Sequence, residues 1–228
     1  MIKKYWVFIL FSIITTITNA QQTENRSLTT FSGIKAAEGI DVYLKQGDKE
    51  SARIETNGTE TDNVITEVSG SYLKIHMREG RYRNTKSVKV YVTYVAVNKL
   101  SASSAANIYS EGIIKASDMD ITCSSAGTIE ITIDAGSVDV NASSAGEIDL
   151  KGKTKKINVD VSSAAEVDAY DVEAETVTAE ASSGASVKVN ATKELEGHAS
   201  SGGSIRYRGN PAKTMTNSSS GGSVKKSN

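Results

Sequence analysis

Five carboxylates, Glu130, Glu147, Asp149, Glu166 and Asp168, stand at two phases of a nineteen-residue spacing and are the first residues of this 228-residue chain whose types could do chemistry. In Glu147-Ile148-Asp149-Leu150 and Glu166-Val167-Asp168-Ala169 the acids and the apolar residues alternate, so they occupy opposite parities. Carboxylates on neighbouring strands about 4.8 Å apart repel by roughly 1 kcal/mol even at the dielectric of water, and a bound cation relieves that repulsion. The strip is therefore a candidate binding face for calcium or for a charged glycan or protein, with a plain solvated face as the alternative. Neither an EF-hand loop nor a Gly-Gly-x-Gly-x-Asp nonapeptide accompanies it, and no other cofactor is expected. The same phase continues into Lys188, Arg206 and Lys225, so the face turns from acidic to basic toward the C-terminal end.

A second constellation contains Asp160, Glu180 and His198 at one outward phase, with Ser182 and Ser200 nearby. These are the residue types of acyl transfer. No nucleophile elbow or helix N-terminus accompanies them to supply an oxyanion hole, so a non-catalytic protein is expected. His76 stands far from His198 and makes a poor metal pair with it. Arg78, Arg81, Arg83 and Lys86, with Tyr82 among them, form one basic loop that suits either an anion or glycan contact or a solvated hairpin tip.

The elements that must position these residues are repeats. Ser103-Ser104-Ala105-Ala106, Ser124-Ser125-Ala126-Gly127, Ser143-Ser144-Ala145-Gly146, Ser162-Ser163-Ala164-Ala165, Ser182-Ser183-Gly184-Ala185, Ser200-Ser201-Gly202-Gly203 and Ser219-Ser220-Gly221-Gly222 follow one another with first serines 21, 19, 19, 20, 18 and 19 residues apart. A fixed period of that size indicates a solenoid. Around each pair the apolar alternation keeps its step: Val138, Val140, Ala142, Ser144, Gly146, Ile148 and Leu150 share one parity, and Asp139, Asn141, Ser143, Ala145, Glu147 and Asp149 share the other. Unbroken parity through a bend means that the chain turns a corner while keeping one face toward a common interior. The expected fold is all-β, a right-handed single-stranded parallel β-helix of about 19 residues per coil. On this count the second serine of each pair points inward and should form a hydroxyl ladder, because an unpaired hydroxyl there costs about 1 to 3 kcal/mol. Cys123 shares a column with Ala102, Ala142, Val161, Ala181 and Ala199 and is expected to be a small buried hydrophobe.

Residues 31–100 alternate without the serine signature, as in Ile40, Val42 and Leu44 or Val88, Val90 and Val92, and are expected to be a β-rich section capping the coils of residues 101–228. Residues 21–30 read as a polar leader. Ahead of them, Lys3 and Lys4, an apolar run from Tyr5 to Ile17 and the small residues to Ala20 read as a signal peptide over residues 1–20. No later segment is apolar enough to span a membrane, so no transmembrane helix is expected once the signal is removed. A single cysteine leaves stability to packing and backbone pairing. The net charge of −1 gives no field that would attract nucleic acid.

Phe31-Ser32-Gly33-Ile34, then Gly39-Ile40-Asp41-Val42-Tyr43-Leu44-Lys45-Gln46-Gly47, then Leu73-Lys74-Ile75 and the Ser-Ser-Ala/Gly coils, together resemble the head GIN domain of auto-transporter adhesins, a family common in Bacteroidetes with no assigned function. The resemblance covers about residues 31–224 and implies an exported β-helix with an adhesive role. The expected protein is a non-catalytic binding or adhesion module of the bacterial envelope, in the periplasm, on the outer surface or secreted, with a glycan or surface protein as partner. Its rivals are a carbohydrate-active enzyme on the same scaffold and a purely structural envelope component.

Overall fold

The Ser-Ser signature folds as a tight corner in the computed structural model, which describes residues 21–80, 82 and 85–227; the expected signal peptide, residues 1–20, lies outside these, as do Arg81 and Arg83. In the third corner Ser144 and Ala145 have φ of 50° and 58°, and the Gly146 N–H donates to the Ser143 carbonyl at 2.9 Å. Two successive left-handed residues closed by that bond make a type I′ turn. All seven corners repeat it, with the last three placing Gly184, Gly202 and Gly221 at the second left-handed position.

This geometry corrects the expected serine ladder. Ser144 and its equivalents are exposed, together with the residue after each, while the first serine is half-buried in every corner but the last, where Ser219 is exposed. Simple alternation assumes extended backbone; two left-handed residues instead swing both side chains to the outside of the bend. The parity survives because the inward series resumes at the fourth turn residue, so Ala142, Gly146 and Ile148 are all buried. What stacks is the backbone. The Ser143 N–H donates to the Cys123 carbonyl of the preceding coil at 3.0 Å, and the Ala145 N–H donates to the Ser163 carbonyl of the following coil at 3.1 Å. A Cβ added at Gly146 would stand 2.7 Å from the Cys123 carbonyl oxygen, so this corner calls for glycine, and the same place holds glycine or alanine in the other Ser-Ser corners.

Among the described residues sixteen strands follow in chain order: β1 (Gln22–Ser27), β2 (Gly33–Ala36), β3 (Asp41–Gln46), β4 (Ser51–Asn57), β5 (Val64–Ser69), β6 (Tyr72–Met77), β7 (Ser87–Tyr94), β8 (Lys99–Ala102), β9 (Asn107–Cys123), β10 (Thr128–Ala142), β11 (Glu147–Val161), β12 (Glu166–Ala181), β13 (Ser186–Ala199), β14 (Ser204–Arg208), β15 (Lys213–Ser218) and β16 (Ser223–Lys226). Each of β9 to β13 carries the chain from one corner to the next and pairs in parallel with its neighbour. The result is an all-β parallel solenoid. Inward residues stack rung on rung, for example Ile108, Ile129, Ile148, Val167, Val187 and Ile205, each 0 % exposed. Burying one such side chain contributes roughly 1.5 to 3 kcal/mol before entropy is subtracted. Cys123 is buried in the predicted column, and burial pushes its thiol up to about 11.

The first coil is β2, a corner and β3. Its corner, Ala37-Glu38-Gly39-Ile40, has the same left-handed pair, with φ of 65° and 68°, but no serines. The Gly39 N–H donates to the Ser104 carbonyl at 3.0 Å, so this corner stacks beneath the others. The chain then leaves the coil and returns as β8. The intervening strands cover the end: β7 pairs in parallel with β3, and β4 runs antiparallel to β7. On the other side β6 pairs in parallel with β2, and β5 runs antiparallel to β6. Residues 22–27 of the polar leader form the outermost strand, β1, antiparallel to β4. Arg26 straps the two sides together, donating to the Val64 carbonyl at 2.6 Å and the Thr61 carbonyl at 3.0 Å while paired with Glu24 at 2.7 Å.

The opposite end is closed by composition. In β15 the positions continuing the inward columns of Leu195, Gly197 and Ala199 are Thr214, Thr216 and Ser218, all exposed. Hydroxyls at the last rung let solvent meet the shaft without stranding apolar surface, as terminal repeats of solenoids require. Among the described residues no helix is long and apolar enough to cross a membrane.

Candidate functional site

Strand register places the acidic residues as their spacing predicts. Glu130, Asp149 and Asp168 are successive partners on β10, β11 and β12, and Glu147 pairs with Glu166 in the column beside them. The first column continues through Lys188, Arg206 and Lys225. All five carboxylates therefore lie on one face.

Two lysines occupy the strip as well. Lys151 Nζ lies 3.7 Å from Glu130 and 4.0 Å from Asp149. Lys188 Nζ donates to Glu166 and Asp168, at 3.0 Å each, and these bonds raise its pKa, Asp168 contributing most. Burial raises the Asp149 pKa; Lys151 opposes this, and Asp168, Glu130 and Asp171 reinforce it. The repulsion expected of stacked acids is thus offset by side-chain cations. Among the described residues no three of Asp, Glu, His and Cys converge as a metal ion requires. Lys151 was missed in the sequence, although it stands two residues beyond Asp149 and so on the same outward parity.

Followed toward the N-terminal end, the same column becomes aromatic. Glu130 pairs with Tyr109, Tyr109 with Tyr43, Tyr43 with Tyr91, and Tyr91 with Arg53 on β4. The rings stack, with centroids 5.1 Å apart for Tyr43 and Tyr91 and 5.3 Å for Tyr43 and Tyr109. The Arg53 guanidinium lies 4.0 Å over the Tyr91 ring and closes that end of the ladder. In the next column Asn107 Nδ2 donates to Asp41 at 2.7 Å. Burial, Asp41, Tyr43 and Glu130, in that order, raise the Tyr109 pKa. Sequence reasoning did not select these tyrosines. A signal existed: Tyr109 stands six residues after Ser103 just as Glu130 stands six after Ser124, and Tyr43 six after Ala37.

The other constellations are weaker. Asp160, Glu180 and His198 are successive partners, and with Ser182 and Ser200 they line a recess of about 160 Å³. His198 Nε2 lies 3.0 Å from Glu196 rather than from a serine. The Ser182 and Ser200 amides donate to the Val161 and Ala181 carbonyls, so neither is free to hold an oxyanion. His76 is half-buried with Nδ1 2.8 Å from the Met77 carbonyl. In the basic loop Arg78 bonds the Asp62 carbonyl at 3.2 Å and the Tyr82 hydroxyl bonds the Arg78 carbonyl at 2.7 Å. Arg78, Tyr82 and Lys86 help line a cleft of about 570 Å³.

The family described as "Putative auto-transporter adhesin, head GIN domain" matches residues 30–211. No curated protein matches the chain. Among solved structures it is similar to a "putative adhesin" from Bacteroides fragilis, at 19% identity over 92% of this chain and 98% of that one, with a TM-score of 0.84. A "putative adhesin" from Parabacteroides merdae follows at 17% identity over 91% and 96%, TM-score 0.78. A "Putative lipid binding protein" from Parabacteroides distasonis shares 17% identity over 91% and 97%, TM-score 0.71. At such identities the likeness carries the fold and transfers no ligand.

Proposed function

The chain belongs to the head GIN domain family of auto-transporter adhesins, and on that premise we propose that it is an exported, non-catalytic binding module of the bacterial envelope that holds a glycan or a surface protein. The observation that carries this reading is the outward column from Arg53 through three tyrosines and three acids to Lys225, one residue per strand along the whole solenoid. A long face of varied chemistry on a rigid shaft suits adhesion, where many shallow contacts add up. The leader Met1–Ala20 supplies the route out of the cytoplasm.

The test applies the purified protein to a glycan array and to intact bacterial and host cells, and labels the surface of the producing cells. Saturable binding to a glycan class or to a protease-sensitive cell-surface component is expected. Silence on the array and on every cell type overturns the binding reading.

A further inference from the structure

We propose that the tyrosine ladder and the polar residues beside it form a docking strip for a neutral, β-linked glycan lying extended along the solenoid axis. This rests on the reading of the protein as a binding module and adds to it the site and the ligand class.

The argument starts from the rungs. Tyr91, Tyr43 and Tyr109 supply one ring per strand at centroid spacings of 5.1 and 5.3 Å, close to the strand repeat. Stacked on one another, they use their faces for mutual contact and turn ring edges toward the ligand side. They are half-buried, which holds them in place. Arg53 over Tyr91 fixes the orientation from one end. One column away, Asp41 and Asn107 are joined at 2.7 Å, and a carboxylate retains acceptor sites beyond the one that Asn107 fills. A ligand running along the axis therefore meets, at every strand, an apolar ring edge and a polar group. Such an alternation suits a chain of pyranose rings, which carries C–H surface and hydroxyls on every unit.

Charge narrows the class. Beside the ladder the signs alternate, Glu55, Lys89 and Asp41 being successive partners on β4, β7 and β3 with Arg53 at the end of the ring column and Glu130 beyond Tyr109, so a polyanion finds no unbroken basic track there. Lys151, at 3.7 Å from Glu130 and 4.0 Å from Asp149, repels a polycation and offsets the acids that would hold one. A neutral polyol is left, able to donate hydroxyls to Asp41, Asn107 and Glu130. Shape narrows it further. The rings repeat at the interval of stacked strands, so the ligand must repeat at nearly the same interval without coiling. An extended β-1,4-linked chain does so, whereas an α-1,4-linked chain of the same sugar curls away after a few units.

The experiment is calorimetric titration of the purified protein with cellohexaose, with maltohexaose as the α-linked isomer and with glucose. Cellohexaose is expected to bind, maltohexaose at least about tenfold more weakly, and glucose without measurable heat. Tyr43→Ala should weaken cellohexaose binding at least about tenfold, and Asp41→Ala, at a half-exposed position, severalfold. Glu180→Ala, outside the strip, should leave it unchanged, with thermal melts confirming that all variants fold. Absence of cellohexaose binding, equal binding of the two isomers, or full retention in both Tyr43→Ala and Asp41→Ala overturns the proposal. If cellohexaose is silent but the protein still binds another array glycan or a cell-surface protein, the strip falls and the binding reading stands; silence throughout sinks both.

Discussion

One outward column runs the length of the molecule, and its two halves solve the same problem in different ways. Every rung must live with an identical or similar neighbour one strand away. On β4, β7, β3 and β9, all but the last from the non-repetitive section, the rungs are Arg53, Tyr91, Tyr43 and Tyr109, which attract one another by stacking and by the cation over the ring. On β10 to β12, in the regular coils, they are Glu130, Asp149 and Asp168, which repel and depend on Lys151 reaching in from the side and on Lys188, the next rung of the same column. The backbone beneath both halves is held by strand pairing, parallel except where β4 runs antiparallel to β7, and by left-handed corners. The scaffold therefore tolerates either attraction or repulsion on its surface, because the inward aliphatic columns and the stacked turns set the stability. Surface chemistry is free to serve binding.

The claim that the corners dominate is tested where they are tightest. In Gly146→Val the new side chain meets the Cys123 carbonyl, from which even a bare Cβ would stand 2.7 Å. A loss of about 3 kcal/mol or more is expected in urea denaturation. Gly146→Ala should be milder, since Ala165 occupies the equivalent place. Hydrogen exchange of the valine variant should loosen β10 to β12 ahead of the N-terminal cap, since coils contact only their neighbours. Uniform loosening throughout would show that the two halves do not differ. For the surface rungs the contrast is smaller: Tyr91→Ala should cost about 1 to 2 kcal/mol through lost stacking and cation contact, whereas Asp168→Ala, which breaks a partly exposed pair, should cost under about 1 kcal/mol. Equal losses would erase the distinction between attractive and repulsive rungs. Smaller again is Ala145→Gly, at φ 58°. Relief of the left-handed penalty, about 1 to 2 kcal/mol, outweighs the extra unfolded-state entropy, so a net gain on the order of 0.5 kcal/mol is expected in the same denaturation curves.

The two halves were unequally legible in the sequence. In the coils the turn recurs seven times with nearly the same residues, so the period, the inward columns and the acidic strip could all be counted directly. Counting failed at Ser144 because alternation records position along an extended chain and is blind to φ; the Ser-Ala pair is left-handed, and Ser144 leaves the shaft for solvent. The corner Ala37-Glu38-Gly39-Ile40 escaped notice because the same backbone is there carried by a different sequence. Once that corner is hidden, Tyr43 has no phase and the ladder cannot be assembled. Its third ring, Tyr91, reaches the column only through the excursion from β3 to β8, a long-range pairing that no local pattern announces. Strand β1 was equally silent: its residues are polar, and its place follows from pairing with β4 and from the reach of Arg26 rather than from alternation.

The smallest expected effect tests the electrostatics of the repulsive half. Burial and the neighbouring acids raise the Asp149 pKa above its ordinary value of 3.8, against the pull of Lys151. A carboxyl group with a raised folded pKa holds its proton more tightly in the native state than in the unfolded chain. Stability therefore increases as pH falls through the folded value, and the gain is complete below the ordinary carboxylate value. At neutral pH the ionised group is mildly destabilising. Its side chain is 45 % exposed, so solvent screening keeps the effect to about a few tenths of a kcal/mol. Asp149→Asn should thus be slightly more stable than the parent at pH 7, and the advantage should vanish near pH 3 and shrink in high salt. Paired urea curves at the two pH values measure it. If the asparagine variant is instead weaker at pH 7, the Lys151 attraction outweighs burial and like-charge repulsion together, and the acidic rungs, like the tyrosines, help to hold the strands they stand on.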